Sequence, residues 1–205
     1  MALVDRYAGV IFDYGGVLAF HQTASDVERL AGIANLPIDV FERFYWADRG
    51  PYDKGLLTAE DYWGDIGRQS GRNLTATQIR DLIDADIDSW THFDSVMYTF
   101  VESLVAQGKR VAVLSNMPHE LGESIKATAI GFKPFQHLTL SYEVRSIKPE
   151  PDIYRHCLQG IGTAAEETLF LDDRIENVRG AEQLNIDAVQ FTSREEVLPR
   201  LQERT

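Results

Sequence analysis

The sequence predicts an α/β fold, in which helices cover both faces of a parallel sheet and an additional helical cap is inserted. Five short runs of aliphatic and β-branched residues have the length and the continuous apolar character of buried parallel strands. Helical patterns alternate with the later runs, as parallel connections require. A long segment after the first run contains helical patterns and no strand. The length of 205 residues fits one core domain with an insertion.

The alternating elements define the predicted core domain, residues 1–18 and 95–205. The predicted strands are residues 9–12, 110–114, 138–140, 168–171 and 187–190. Predicted helices occupy residues 95–107, 119–129, 151–159, 175–184 and 194–203. Gly108 is the expected C-cap of the first helix, and Ser193 with Glu196 forms a capping box before the last. Strands that alternate with helices indicate a doubly wound sheet.

Residues 19–94 are predicted to form a helical cap domain. Its four helix starts are Ser25 with Glu28, Pro37 before 38–47, Thr58 with Asp61, and Thr75 with Gln78. A helical insertion directly after the first strand would lie over the C-terminal edge of the sheet. Ligands of open α/β sheets bind at that edge, so the insertion is expected to act as a lid.

Composition restricts the partners and the location of the protein. A formal net charge of −12 argues against a nucleic-acid surface, which requires clustered Lys and Arg. No window reaches the roughly 18 apolar residues of a membrane span, and the N-terminus does not resemble a signal peptide. Cys157 is the one cysteine, and its apolar surroundings in the sequence indicate a buried side chain. We therefore expect a cytoplasmic protein without nucleic-acid or membrane partners.

Polar clusters follow four of the predicted strands. These clusters are Asp13, Ser115-Asn116, Lys148-Pro149 and Asp172-Asp173. Each alone is explained by a turn, a helix cap or a solvated loop. Together they meet at one edge of a parallel sheet, where three close carboxylates are costly unless a cation lies among them. All candidate ligands are oxygens, which favours a hard cation, and Mg²⁺ is the expected one.

The motifs that carry these residues resemble those of the haloacid dehalogenase-like superfamily. They are Phe12-Asp13-Tyr14-Gly15-Gly16-Val17, Leu114-Ser115-Asn116, Lys148-Pro149, and Asp172-Asp173 with Asn177. The phrase at 147–154 looks most like the branch of glucose-1-phosphate phosphatases and the N-terminal phosphatase domain of soluble epoxide hydrolase. The resemblance implies a Rossmann-like sheet of strand order 3-2-1-4-5. It also implies a Mg²⁺-dependent phosphatase acting on a small phosphorylated metabolite.

The resemblance also implies roles for individual residues. Asp13 would be the nucleophile and a metal ligand, and an aspartyl phosphate would form on it. The other expected metal-site residues are Gly15 through its carbonyl, Asp173 as a direct ligand, and Asp172 beside the metal's waters. Ser115, Asn116 and Lys148 would bind the phosphoryl group, and Asn177 would support the metal end of the site.

The sequence departs from the family pattern at Gly15. Many phosphatases of the family carry there a second Asp, which protonates the leaving oxygen, and such help is worth about 10²–10⁴-fold in rate. One interpretation is a phosphatase whose substrate has a good leaving group, such as a hexose 1-phosphate, or which borrows another group. His21 is the nearest titratable side chain in sequence, eight residues beyond Asp13, although we favour an exposed hinge histidine as its explanation.

Two other interpretations remain open at this stage. A haloacid dehalogenase-type hydrolase also lacks the second Asp, but such enzymes bind no metal, and Asp172-Asp173 argues against this. A catalytically weak protein of this fold that binds a metabolite or a partner protein is the third. Retention of Asp13 together with Lys148 and Asp173 argues against it.

Substrate choice is expected to lie in the cap, because the core supplies only phosphate chemistry. Trp46 and Arg49 are the predicted substrate contacts, in a stretch that mixes aromatic, charged and glycine residues. The alternative is that Phe44 and Trp46 fill the interior of the cap while Arg49 and Lys54 face solvent. Trp63 and Trp90 are expected to pack helices together.

Overall fold

A computed structural model describes residues 2–202 and shows five parallel strands in one sheet. The strands are β1 (Gly9–Phe12), β2 (Arg110–Ser115), β3 (His137–Leu140), β4 (Thr168–Asp172) and β5 (Asp187–Gln190). Their spatial order is β3-β2-β1-β4-β5, with parallel pairing throughout. The predicted fold class and strand order are confirmed.

Eleven α-helices accompany the sheet in residues 2–202. They are α1 (Ala24–Ala34), α2 (Ile38–Ala47), α3 (Arg49–Asp53), α4 (Ala59–Gln69), α5 (Ala76–Ser89), α6 (Ser95–Ala106), α7 (His119–Ala127), α8 (Ser141–Val144), α9 (Pro151–Ile161), α10 (Ile175–Glu182) and α11 (Arg194–Gln202). Helix α5 is the longest, with 14 residues, and no helix in this part of the chain is long and apolar enough to cross a membrane.

The central strand β1 has apolar residues on both faces. Phe12 is in register with Val113 of β2 and with Leu171 of β4. Because side chains alternate along a strand, Val10 and Phe12 pack in one apolar cluster and Ile11 packs in a second cluster on the other face. This double burial fixes the sheet and places the ends of β1, β2 and β4 along one edge.

Helices α1–α5 share a hydrophobic core of their own. Phe41, Tyr45, Trp63 and Leu82 are fully buried within it. The two chain segments that lead into and out of these helices run side by side, and the Phe20 N–H donates to the carbonyl of His92 at 2.9 Å. The division into a core domain of residues 1–18 and 95–205 and a cap domain of residues 19–94 stays a prediction.

Local details correct two expectations for the helices after β1. Helix α1 begins earlier than predicted, because Thr23 and Asp26 form the capping box instead of Ser25 and Glu28. The short helix α3 was not predicted. The N-caps at Thr58 and Thr75 are confirmed, and the predicted elements after residue 94 are present with ends shifted by up to two residues within the described chain.

Candidate active site

Asp13 lies immediately after β1 and is the centre of the site. Its N–H donates to the Leu171 carbonyl at 2.8 Å, which extends the pairing with β4 by one residue. Its side chain is buried, and Oδ1 accepts the Tyr14 N–H at 2.6 Å and lies 2.7 Å from Nζ of Lys148. The end of the strand therefore fixes the carboxylate, and a cation contacts one of its oxygens.

Lys148 is a buried ammonium whose three donors point to three acceptors. Nζ lies 2.7 Å from Oδ1 of Asp13 and donates to Oδ2 of Asp172 at 2.7 Å and to the Leu114 carbonyl at 2.9 Å. Burial by itself disfavours the charged form, but the two carboxylates outweigh it and raise the pKa of Lys148. The residue remains a cation between two strand ends.

Asn116 holds the main chain of Lys148 in place. Its Oδ1 accepts the Lys148 N–H at 2.8 Å, and its Nδ2 donates to the Lys148 carbonyl at 3.0 Å. Both ends of this amide side chain are therefore occupied by one residue. The side chain of Asn116 therefore positions Lys148, and its second Nδ2–H and its main-chain N–H are the donors that it could offer to a phosphate.

Asp172 ends β4 and is completely buried. Its oxygens accept hydrogen bonds from the Arg174 N–H at 2.9 Å, from Nδ2 of Asn177 at 3.0 and 3.1 Å, and from Lys148. Burial alone would raise its pKa, but Lys148 and these donors lower it. Asp172 is an ionised carboxylate that positions the lysine, and Asn177 supports it.

Asp173 is the third carboxylate of the site and is half-buried. One oxygen each of Asp13, Asp172 and Asp173 lie within 4.8 Å of one another. With the ammonium of Lys148 included, this group of charges has a formal excess of two negative charges. A compact set of oxygen donors with that excess fits a hard divalent cation and no soft one.

Burial is the main cause of the unusual pKa of Asp13. It raises the pKa well above the ordinary value of a carboxyl, Lys148 opposes the shift, and the charges of Asp172 and Asp173 add to it. A cation beside the three carboxylates would favour the ionised form of Asp13. The site is therefore electrostatically incomplete without a second positive charge.

Ser115 and Gly15 line a cavity of about 620 Å³ together with Asp13. Ser115 is buried, and no group in residues 2–202 forms a hydrogen bond with its hydroxyl, which leaves it free for a ligand. A methyl group at Gly15 would lie 3.1 Å from Cζ3 of Trp90. The indole thus covers the position where the family's usual second carboxylate would project.

The cavity lies between the edge of the sheet and helices α2 and α3, and Trp46 and Arg49 both line it. The alternative expectation, in which Trp46 fills the interior of the cap and Arg49 faces solvent, is wrong for both side chains. Trp46 is 51% exposed and does not fill the interior, whereas Arg49 is buried and does not face solvent. Phe44 and Lys54 are half-buried, Trp63 is fully buried, and Lys54 pairs with Glu150.

Two further side chains line the cavity, Trp90, which the sequence analysis had not placed there, and His21, for which it had left two interpretations open. Trp90 was expected only to pack helices, but its indole lines the cavity and Nε1 donates to the Tyr45 hydroxyl at 3.1 Å. His21 lies against the carboxylate cluster, with Nε2 3.3 Å from Oδ2 of Asp173, and this hydrogen bond raises its pKa. Sequence proximity to Asp13 was the one signal for His21, and Trp90 gave none.

Comparisons with known proteins agree with this arrangement. A sesquiterpene phosphatase of Aspergillus oryzae is 25% identical over 194 residues, which cover 93% of this chain and 92% of the relative. Two structures with 22% and 17% identity share the fold. One is the magnesium and inorganic phosphate complex of the HAD family enzyme BT-2542 of Bacteroides thetaiotaomicron, with a TM-score of 0.73 and a match that covers 90% of this chain and 93% of that one. The other is L-2-haloacid dehalogenase of Xanthobacter autotrophicus with chloropropionic acid covalently bound, with a TM-score of 0.71 and a match that covers 94% of this chain and 81% of that one. The family model for haloacid dehalogenase-like hydrolases matches residues 7–185, and the chain belongs to that family.

Proposed function

We propose that this hydrolase is a Mg²⁺-dependent phosphatase that cleaves a small phosphate monoester through an aspartyl phosphate on Asp13. The observation that carries the proposal is the contact of Asp13 with Lys148 beside Asp172 and Asp173, at the floor of a cavity. The sesquiterpene phosphatase among its relatives and the bound phosphate of the BT-2542 complex support the same chemistry. The expected substrate is a phosphorylated metabolite in the cytoplasm.

Asp13 is the group that attacks phosphorus, through the carboxylate oxygen that does not contact Lys148. The bond between phosphorus and the ester oxygen breaks, and the leaving group departs as an oxyanion that takes a proton from solvent water. Water then hydrolyses the acyl phosphate, which releases phosphate and regenerates Asp13. Ser115 and main-chain N–H groups of the loop after β2, including that of Asn116, are the proposed donors to the phosphoryl oxygens.

Charge neutralisation is the main requirement of this reaction. A carboxylate and a phosphate oxygen repel each other by about 4 kcal/mol per charge pair at 4 Å and an effective dielectric near 20. Lys148 offsets part of this repulsion. Mg²⁺, when bound by Asp13, Asp173 and the Gly15 carbonyl, supplies the remaining positive charge.

The absence of a carboxylate at Gly15 favours substrates with a good leaving group. Trp90 occupies that side of the site and has no acidic proton to give at neutral pH. A hexose 1-phosphate is our candidate at this finer level, because an anomeric oxygen leaves more readily than an ordinary alkoxide.

Carbon–halogen hydrolysis is the second candidate, and one observation favours it. The fold is shared with L-2-haloacid dehalogenase, and the second Asp of the phosphatases is missing here. In that reaction Asp13 would displace halide from carbon. The cluster of three carboxylates favours the phosphatase, because the negative charge of Asp173 would not help to bind an anionic haloacid.

A direct assay separates these functions from a mere binding role. We expect Mg²⁺-dependent hydrolysis of p-nitrophenyl phosphate that is lost in Asp13→Asn and on chelation with EDTA. Fluoride release from fluoroacetate, measured in parallel, would indicate dehalogenation. No hydrolysis of the phosphate ester, or hydrolysis unchanged in Asp13→Asn, would contradict the proposed function, and a binding protein would give that result.

A further inference from the structure

A second buried charge cluster lies on the cap side of the same cavity. Its members are Arg49, Asp53 and Asp86, which we call the cap charge cluster. Nε of Arg49 lies 2.9 Å from Oδ1 of Asp53, and Nη1 lies 3.2 Å from Oδ2 of Asp86. All three side chains are buried. One cation therefore balances two carboxylates, and the cluster has a formal charge of −1.

Tyrosines surround the guanidinium of the cap charge cluster, and one of them accepts a further hydrogen bond from it. Nη1 of Arg49 donates to the Tyr45 hydroxyl at 2.7 Å, and that hydroxyl donates to Oδ1 of Asp86 at 2.6 Å. The guanidinium carbon lies 4.9 Å from the ring centre of Tyr45 and 5.5 Å from that of Tyr52. Arg49 thus directs Nε and Nη1 to groups of the cluster, and its single positive charge is outweighed there by the two carboxylates.

The rest of the leaving-group side of the cavity adds no net positive charge. Arg174 at the exposed rim is paired with Glu176, with Nη2 2.5 Å from Oε1. His21 also lines the cavity, where it pairs with Asp173, and the other side chains on this side are apolar. They are Trp46, Trp90, Met117, Leu121 and Ile147. A substrate that extends from Asp13 toward the cap therefore meets an apolar wall backed by an excess of negative charge.

We propose that the cap charge cluster makes the enzyme selective for phosphate monoesters whose leaving group is uncharged. A second phosphate or a carboxylate on the leaving group would approach Asp53 in a cavity where burial reduces solvent screening, and repulsion would oppose binding and transition-state formation alike. The inference rests on the proposed phosphatase function and deepens it. It excludes bisphosphates, nucleotides and phosphorylated carboxylic acids as good substrates.

The charge of Asp53 persists at the pH of an ordinary assay. Burial raises its pKa to about 6, although the neighbouring guanidinium of Arg49 lowers it. At about pH 8 the carboxylate is ionised. Measurements at that pH therefore test the cluster in its charged form.

Two esters of the same shape provide the test. The specificity constant kcat/KM is measured with para-carbamoylphenyl phosphate and with para-carboxyphenyl phosphate, in saturating Mg²⁺ at about pH 8. We expect the wild-type protein to prefer the uncharged carbamoyl ester by about tenfold, the ratio that corresponds to one modest charge repulsion in a partly buried site. The preference is expected to fall as salt is added, since screening weakens repulsion.

Variants test whether the cap charge cluster causes the preference for the uncharged ester. Asp53→Asn is expected to reduce the ratio of the two specificity constants to about two or less, and Asp86→Asn provides a second, independent neutralisation. Asp48→Asn is the matched control, because Asp48 lies beside α3, does not line the cavity and contacts Gln69. It should keep the wild-type ratio. Circular dichroism of each variant confirms that folded protein is compared.

The outcomes separate this inference from the proposed function. Turnover of both esters at equal specificity constants by the wild-type protein would refute the selectivity and leave the phosphatase intact. A ratio unchanged in both Asp53→Asn and Asp86→Asn would assign the selectivity elsewhere and overturn the inference. Failure to hydrolyse either ester would overturn the phosphatase and the inference together.

Discussion

The two ends of the cavity contain the same combination of charges with different surroundings. At the edge of the sheet, Lys148 lies between Asp13 and Asp172, and in the cap Arg49 lies between Asp53 and Asp86. All six side chains are buried. Each arrangement is a cation that prevents two buried carboxylates from being left uncompensated.

The surroundings decide which cluster can react. In the cap charge cluster, the Tyr45 hydroxyl joins Arg49 to Asp86, and the guanidinium lies against the Tyr45 ring. The cluster at the sheet edge adds a third, half-buried carboxylate, Asp173, and leaves the Ser115 hydroxyl free among residues 2–202. An uncompensated excess of negative charge beside an accessible carboxylate, and not burial of charge alone, therefore distinguishes the proposed reactive end.

Replacing Asp13 by Asn should have the largest effect of these variants on activity, and it should affect only the cluster at the sheet edge. We expect kcat for p-nitrophenyl phosphate to fall by about 10⁴-fold or more, since an amide cannot form the acyl phosphate. The free energy of unfolding should change far less, because Lys148 keeps Asp172 as its partner. Steady-state kinetics and urea unfolding measure the two quantities, and Asp53→Asn in the cap is the comparison variant. Loss of activity only in proportion to lost folded protein would contradict the assignment.

Removing the cation from each end in turn tests the comparison most directly. Lys148→Met and Arg49→Met each leave two buried carboxylates unpaired, and each should lower the free energy of unfolding by about 3–5 kcal/mol. Measured on the folded fraction, Lys148→Met should reduce kcat/KM for an uncharged ester by about 10²–10³-fold. Arg49→Met should change it by less than about tenfold. Equal catalytic losses in the two variants would show that the cap charge cluster takes part in the reaction.

The sequence indicated which residues meet at the edge of the sheet, but it did not indicate the cap charge cluster. Asp13, Ser115 and Asp172 end or follow predicted strands, and a parallel sheet brings its strand ends to one edge whatever the details of packing. The use of the Asn116 side chain to hold Lys148 was not predictable, because it depends on the path of a loop.

The cap charge cluster depends on contacts between residues far apart in sequence. Asp86 lies 37 residues from Arg49, and neither spacing nor composition indicated that helices α3 and α5 would bring them together. The start of α1 was ambiguous for a local reason. The segment 23–28 contains two overlapping capping boxes, Thr23 with Asp26 and Ser25 with Glu28, and local pattern cannot choose between them.

Mg²⁺ should stabilise the sheet-edge cluster and not the cap charge cluster. A ligand at 100 times its dissociation constant adds about 2.7 kcal/mol to the free energy of unfolding. Mg²⁺ can bind only where a carboxylate is accessible, and Asp173 at the sheet edge is the half-buried one. We expect thermal unfolding to shift upward with Mg²⁺ in the wild-type protein and in Asp53→Asn. The shift should disappear in Asp173→Asn. A Mg²⁺-dependent shift that survives in Asp173→Asn would place the metal elsewhere.

The smallest expected effect concerns the contact between the two ends at Gly15 and Trp90. Gly15→Ala places a methyl group 3.1 Å from Cζ3 of Trp90, so the indole must move by a few tenths of an ångström. Overpacking costs about 1 kcal/mol or more, while the gain in backbone rigidity on replacing Gly returns about 0.4–1 kcal/mol. We therefore expect the free energy of unfolding to change by less than about 1 kcal/mol in this variant.

In a Trp90→Phe background the smaller ring makes room, and the Gly15→Ala substitution should become stabilising. Urea unfolding of the four proteins in this double-mutant cycle measures the coupling. A coupling energy of zero would mean that the indole does not restrict residue 15, and the absence of a carboxylate there would then need an explanation other than the packing of Trp90.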